Sequence, residues 1–345
     1  MSLASVALQC AISAAGALTV CALRMPIART MDLLDTPDAK RKLHRRTTPL
    51  VGGLAAFPAI ALACIEAVGS GAKDDTIAIL YAVVFGFFLI GYADDRIQIR
   101  PTRRLLLTLA LFGGLVLMIP ELMVENFIFG GVSIHLGAGG VAMLAIVAAS
   151  GALNAINMAD GQDGLCPGLL GIWFAFIAAS LPAPYAAAAW IIMAALAVVL
   201  AFNLLGLVFL GDIGAYGLGA FLVGLLLAGV AAGSIDHGQI VALLTVPVVD
   251  CVWLMLERQR RGRSPFDPDR QHLHHILMEN VGRWPSLAVY LAVVGAGAAA
   301  AWWGGWASVI AISAQGGFVA LVRLTARRPI EVEDDEEAGN VIAPG

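Results

Sequence analysis

The sequence predicts an all-α polytopic membrane protein of about eleven transmembrane helices. Two observations carry this. The 345 residues are 59% hydrophobic and only 13% charged, with a mean hydropathy of +0.84, whereas a soluble domain carries about 25% charged residues. The apolar stretches also recur along almost the whole chain, leaving no polar segment long enough to form a separate soluble domain. A spanning helix needs roughly 20 mostly apolar residues, and eleven segments meet or approach that length.

Taken in order, the first is 3–23. It has no basic residues before it and no polar mature chain after it, so it reads as a true span and not a cleaved leader. Spans 49–68, 76–93 and 104–120 follow. Between 127 and 136, strand-like alternation flanks Gly130-Gly131, which predicts a small hairpin outside the membrane, with His135 an exposed polar residue. Spans 140–157, 166–181, 184–209, 214–234 and 238–256 come next, then 286–303 and 305–322. From Pro329 the chain is acidic and almost free of apolar residues, so 1–328 reads as the membrane domain and 329–345 as a disordered tail. The five cysteines have no C-x-x-C spacing and read as packing residues.

Eleven spans sort the basic residues sharply. Twenty of the 21 Lys and Arg fall in loops on one side, and Lys73 stands alone on the other. The positive-inside rule then places the N-terminus outside and the C-terminus in the cytoplasm. The stretch Arg258 to Arg263 reads as a basic loop touching anionic lipid.

Polar clusters beside spans cost free energy and ask for a reason. Five lie in the inner loops: Asp35-Thr-Pro with Arg41, His44 and Gly52-Gly53; Asp94-Asp95-Arg96 with Arg103 and Arg104; Asn154, Asn157, Asp160 and Asp163; Asn203 with Gly211-Asp212-Ile-Gly214; and Asp269-Arg270-Gln-His272-Leu-His274-His275. Adjacent Asp94 and Asp95 repel each other unless a cation compensates, and a divalent metal is the natural counter-charge. Asp212 and Asn157 offer hard oxygen ligands of the kind magnesium takes alongside substrate phosphates. Arg104, Arg270, His272, His274 and His275 are donors suited to a pyrophosphate or a phosphorylated headgroup. Asp250, inside the ninth span, is either functional or a brace for another helix. An active site at the cytoplasmic face is therefore expected.

In these five clusters the sequence resembles the polyprenyl-phosphate N-acetylhexosamine-1-phosphate transferases, the integral membrane family that includes WecA-type enzymes and the peptidoglycan translocase. The resemblance runs through roughly residues 30–285 in order. It implies magnesium-dependent transfer (manganese being an alternative ion) of a sugar 1-phosphate from a UDP-N-acetylhexosamine to undecaprenyl phosphate, with release of UMP, in a bacterial inner membrane. This would be the first membrane step of a cell-envelope polysaccharide. Asp94 and Asp95 match the family's catalytic pair, and Asn157 and Asp212 match its magnesium ligands. Asp160 and Asp163 match the D-G-x-D-G segment at the nucleotide, Asp163 nearest the uracil, and Asn154 is counted with them. Arg104 and His44 match phosphate-holding positions.

His272-Leu-His274-His275 resembles the H-x-H-H of the WecA branch, which favours GlcNAc-1-phosphate. Ile213 and Ala215 depart from the usual fourth motif. The expected route is direct displacement, with a covalent aspartyl-phosphate as its alternative. Expected partners are the UDP-sugar, the lipid and a second copy in a homodimer, with no nucleic acid. The rival reading is a polytopic transporter or lipid flippase, but such proteins place polar sites near the midplane in repeated halves. No repeated halves are visible here.

Overall fold

A computed structural model describes residues 3–36, 47–69, 74–267 and 271–326. His44, Asp269, Arg270 and the acidic tail lie outside the described residues. The chain is almost wholly helical: α1 (Leu3–Ala22), α2 (Arg24–Met31), a strand pair β1 (Leu34–Asp35) and β2 (Thr48–Pro49), α3 (Gly52–Gly69), α4 (Asp74–Ile97), α5 (Pro101–Met118), a hairpin of β3 (Asn126–Phe129) and β4 (Val132–His135), α6 (Gly137–Met158), α7 (Leu165–Ser180), α8 (Tyr185–Leu204), α9 (Gly211–Ala231), α10 (His237–Arg260), α11 (Leu273–Val281), α12 (Arg283–Ala301) and α13 (Gly305–Thr325).

Ten helices among the described residues are long and apolar enough to cross a membrane, and α7 is a shorter apolar helix. Each expected segment is a helix, ten of them of spanning length, so this is a multi-pass helical membrane protein. The sixteen residues of α7 reach only about 24 Å at 1.5 Å per residue, less than a hydrocarbon core of about 30 Å. A short helix is tolerated here because Leu169, Leu170, Trp173, Phe174 and Ile177 are all buried in the bundle, away from lipid. The short helices α2 and α11 were not expected from hydropathy, since neither is long or apolar enough to register as a span.

Helix α9 is the centre, with α3, α4, α6 and α7 packed around it. Small residues permit this. A Cβ at Gly53 would lie 2.3 Å from the backbone nitrogen of Gly214, and one at Gly91 would lie 2.3 Å from the carbonyl oxygen of Asp212. Backbone N–H groups of Gly52 and Gly53 donate to the carbonyls of Phe209 and Leu210, both at 2.9 Å, and Phe209 N–H donates back to Pro49. The start of α3 is thereby laced to the start of α9.

The hairpin forms where the sequence placed it, Asn126 opposite His135 and Phe129 opposite Val132. Its turn residues Gly130 and Gly131 sit at φ +60° and +79°, a left-handed pair that glycine adopts without strain. His135 is exposed, as expected. Ile128 N–H donates to His237 Nδ1 at 3.1 Å, which docks the hairpin on the first turn of α10. Asp236 and Gln239 close that helix end with a reciprocal capping box. The five cysteines are free, four of them buried.

Candidate functional site

The site assembles at the other end of the bundle, around the first turn of α9. Asp95, in the last turn of α4, accepts hydrogen bonds from Asp212 N–H at 3.0 Å and from Ile213 N–H at 3.1 Å, one on each carboxylate oxygen. Asp160, from the loop after α6, accepts from Gly211 N–H. Three successive N–H groups that a helix start leaves unsatisfied are thus bound by two acids, one from the end of α4 and one from the loop after α6. Gly211 is required twice: its φ is +74°, and a Cβ there would stand 2.8 Å from Asp95 Oδ2. Asp35 of β1 is within electrostatic reach of Asp95, which brings the first polar cluster to the same place.

Asp94 faces inward and is 4% exposed. Its Oδ1 accepts from Ile99 N–H at 2.7 Å, and its Oδ2 pairs with Arg104 at 2.5 Å. The Asp212 carboxyl is in hydrogen-bonding reach of Asp94 and near Arg104. One turn on, the Tyr216 hydroxyl donates to Asn154 Oδ1 at 3.3 Å and is bonded to Asn157, while the Arg104 guanidinium lies 5.9 Å from the centre of its ring. Asn154 Nδ2 is tied in turn to the Ser150 carbonyl at 2.8 Å. Asn157 Oδ1 is buried with no hydrogen-bond partner. An amide oxygen left so beside clustered carboxylates suits a hard cation. Among the described residues no three His, Cys, Asp or Glu side chains are grouped as a metal cluster.

The segment 160–164 forms one wall. Burial raises the Asp160 carboxyl to about 7, helped by the charges of Asp95 and Asp163 and opposed by the Gly211 N–H bond. Asp163 pairs with Arg283 at 2.5 Å. Gln162 Nε2 donates to the Arg283 carbonyl at 2.7 Å and to Ser286 Oγ at 3.0 Å, holding the start of α12. Gly164 N–H donates to Asn203 Oδ1, whose Nδ2 donates to the Val208 carbonyl. Asn203 is therefore a brace between loops.

Of the histidines, His274 is 2% exposed and its Nε2 has no partner. A Cβ at Gly161 would lie 2.3 Å from that nitrogen, so the ring rests directly on the backbone of the 160–164 segment. Burial pushes its pKa well below the usual 6.5, and His275, His272 and Arg323 push it further. The His272 ring lies parallel to that of His274 at 5.7 Å, and the His275 ring lies 4.2 Å from it. His272 Nδ1 meets Asp250 Oδ2 at 3.0 Å, Leu273 N–H donates to Asp250 Oδ1 at 2.9 Å, and Arg323 pairs with Asp250.

The structure thus brings together Asp94, Asp95, Arg104, Asn154, Asn157, Asp160, Asp163, Asp212, His272, His274 and His275. Gln162, Tyr216, Arg283 and Arg323 were not singled out by the sequence. Only the charge of the two arginines was visible there, since each pairs with an acid 73 or 120 residues away.

The model of Glycosyl transferase family 4 matches residues 77–230. The undecaprenyl-phosphate alpha-N-acetylglucosaminyl 1-phosphate transferase of Escherichia coli (strain K12) is 34% identical over 270 residues, covering 73% of this chain and 71% of the relative. The protein of the same name from Salmonella typhi is 33% identical over 269 residues with the same coverage. That from Thermotoga maritima is 29% identical over 263, covering 76% and 78%.

Proposed function

The chain belongs to glycosyl transferase family 4, and on that footing we propose that it transfers N-acetylglucosamine 1-phosphate from UDP-N-acetylglucosamine to undecaprenyl phosphate, giving the lipid diphosphate sugar and UMP. One observation carries the reading. Asp94, Arg104, Asp212 and Asn157, drawn from four helices, face one another beside the first turn of α9. That grouping supplies a cation for one phosphate and oxygen ligands for a metal on another. The excess of basic residues at this end supports its facing the cytoplasm of a bacterial inner membrane.

Asp212 and Asn157 would hold magnesium, which when bound neutralises charge on the diphosphate. Arg104, fixed by Asp94, is placed to hold the acceptor phosphate. Asp94 keeps a lone pair beside Asp212 and is the acid disposed to take a proton from that phosphate. Asp95 is a positioning residue, since both of its oxygens hold the start of α9. A covalent aspartyl-phosphate is the alternative route, and trapping a labelled phosphosugar on the protein in the absence of lipid would establish it against direct displacement. Gly161 and Gly164 shape the wall on which the nucleotide would rest, with Asp163 at its rim.

Purified protein with undecaprenyl phosphate, magnesium and a panel of UDP-sugars should release UMP only when lipid is present, fastest with UDP-N-acetylglucosamine. Movement of sugar across vesicles without UMP would show a transporter instead.

A further inference from the structure

Helix α13 lies beyond the family-model match, yet it reaches the site. Arg323, in its last turn, has a side chain only 1% exposed and pairs with Asp250 of α10. We propose that Arg323 is a positioning residue for the transfer reaction, acting through Asp250 to fix His272 and the first turn of α11, and so the His274 ring against Gly161. This rests on the transferase reading above.

The contacts run without a gap. Asp250 Oδ1 takes Arg323 and Leu273 N–H, and Oδ2 takes His272 Nδ1. An ionised carboxylate only accepts, so Nδ1 carries the hydrogen and the tautomer and tilt of the imidazole are set, as a carboxylate partner sets them elsewhere. Leu273 N–H is one of the donors that α11 leaves open at its start, so the same acid also fixes that helix. The His272 ring stacks on His274, and His274 touches Gly161.

A purely structural weld is a poor account of the pair. Gln315 Nε2 already joins α13 to α10 at the Ala242 carbonyl, 2.8 Å away and two turns earlier along both helices. A buried ion pair adds little stability over apolar packing, because both charges must be desolvated. What Arg323 contributes beyond the Gln315 link is direction at Asp250.

The test uses the full chain in detergent, with kcat and KM for both substrates normalised to folded, monodisperse protein. Arg323→Gln should lower kcat by about 10- to 100-fold, the scale of losing a group that orients a site residue, and Arg323→Lys should recover part of it. Gln315→Leu, which cuts the other link, should keep wild-type kcat. Backbone amide exchange over 271–277 should quicken in Arg323→Gln, while exchange at 211–214 stays as in the parent.

Should Arg323→Gln fail to fold, the neutral pair Asp250→Asn with Arg323→Gln leaves no lone buried charge and should be folded and slow. Wild-type kcat in either variant, or equal losses from Gln315→Leu, overturns the proposal. A parent chain without transferase activity would strike at the reaction itself, and the exchange result would still report on Arg323.

Discussion

Asp95 caps a helix that starts more than a hundred residues later: its carboxylate accepts the Ile213 N–H at 3.1 Å and the neighbouring Asp212 N–H at 3.0 Å. Loss of a capping side chain costs about 0.5–2 kcal/mol. Asp95→Ala should therefore lower the thermal midpoint in detergent and also abolish UMP release, because Asp212 sits on the turn that loosens. Asp95→Asn keeps one accepting oxygen and should retain more stability than Asp95→Ala. Equal midpoints for the two variants would refute the capping role.

Asp212 and Asn157 lead to a different pattern. Asn157 Oδ1 is buried without a partner, so Asn157→Leu gives up the side-chain bond to Tyr216 but none at that oxygen; the midpoint should fall by no more than a few degrees while the magnesium concentration needed for half-maximal rate rises tenfold or more, roughly 1.4 kcal/mol. Asp212→Ala should abolish turnover in folded protein. Magnesium-dependent turnover surviving in Asp212→Ala would remove that residue from the metal site.

Gly161 gives a steric prediction. The methyl of Gly161→Ala would meet the His274 imidazole at 2.3 Å, and overpacking of this kind costs about 1–3 kcal/mol. The variant should lose stability and show a raised KM for UDP-sugar. Adding His274→Ala removes the obstructing ring, so the double variant should be less destabilised than the sum of the two singles. Simple additivity would show that the ring and the loop do not meet.

The pH dependence of stability has two opposed parts. His274 titrates well below 6.5 when folded, so its unfolded form binds the proton first. Stability is full above about 6.5 and falls as pH drops below it, by up to about 1.4 kcal/mol per unit. Asp160 titrates at about 7 when folded against 3.8 for the free group. The folded form holds its proton over that interval, so its contribution is complete below about 3.8 and is lost as pH rises toward 7. Denaturation of wild type and Asp160→Asn across pH 4–8 checks the sign: relative to the variant, wild type should weaken as pH rises and level off above about 7.

Much of this was legible in the residues themselves. Length and apolar content mark each span, and Gly130-Gly131 marks the hairpin, because these are local properties that tertiary contacts did not override. The site was legible as a list of residue types, since acids, amides and histidines at span ends are costly unless used. Their partnerships were not. That Asp95 would bind the backbone of α9, that Asn203 would tie Gly164 to Val208, or that Asp250 would hold His272 depends on how helices far apart in sequence pack. Arg323 counted only toward charge sidedness, since nothing local distinguishes a buried arginine at a helix end from one reaching to headgroups.

The Asp250 pair also bears on biosynthesis. Its cation lies on α13, which is made after the acid and the histidine that it orders. A chain halted after α12 would keep the Leu273 N–H and His272 on Asp250 but would lack the cation that balances its charge. A stop codon just ahead of residue 323 should therefore be far more damaging than one just after residue 326.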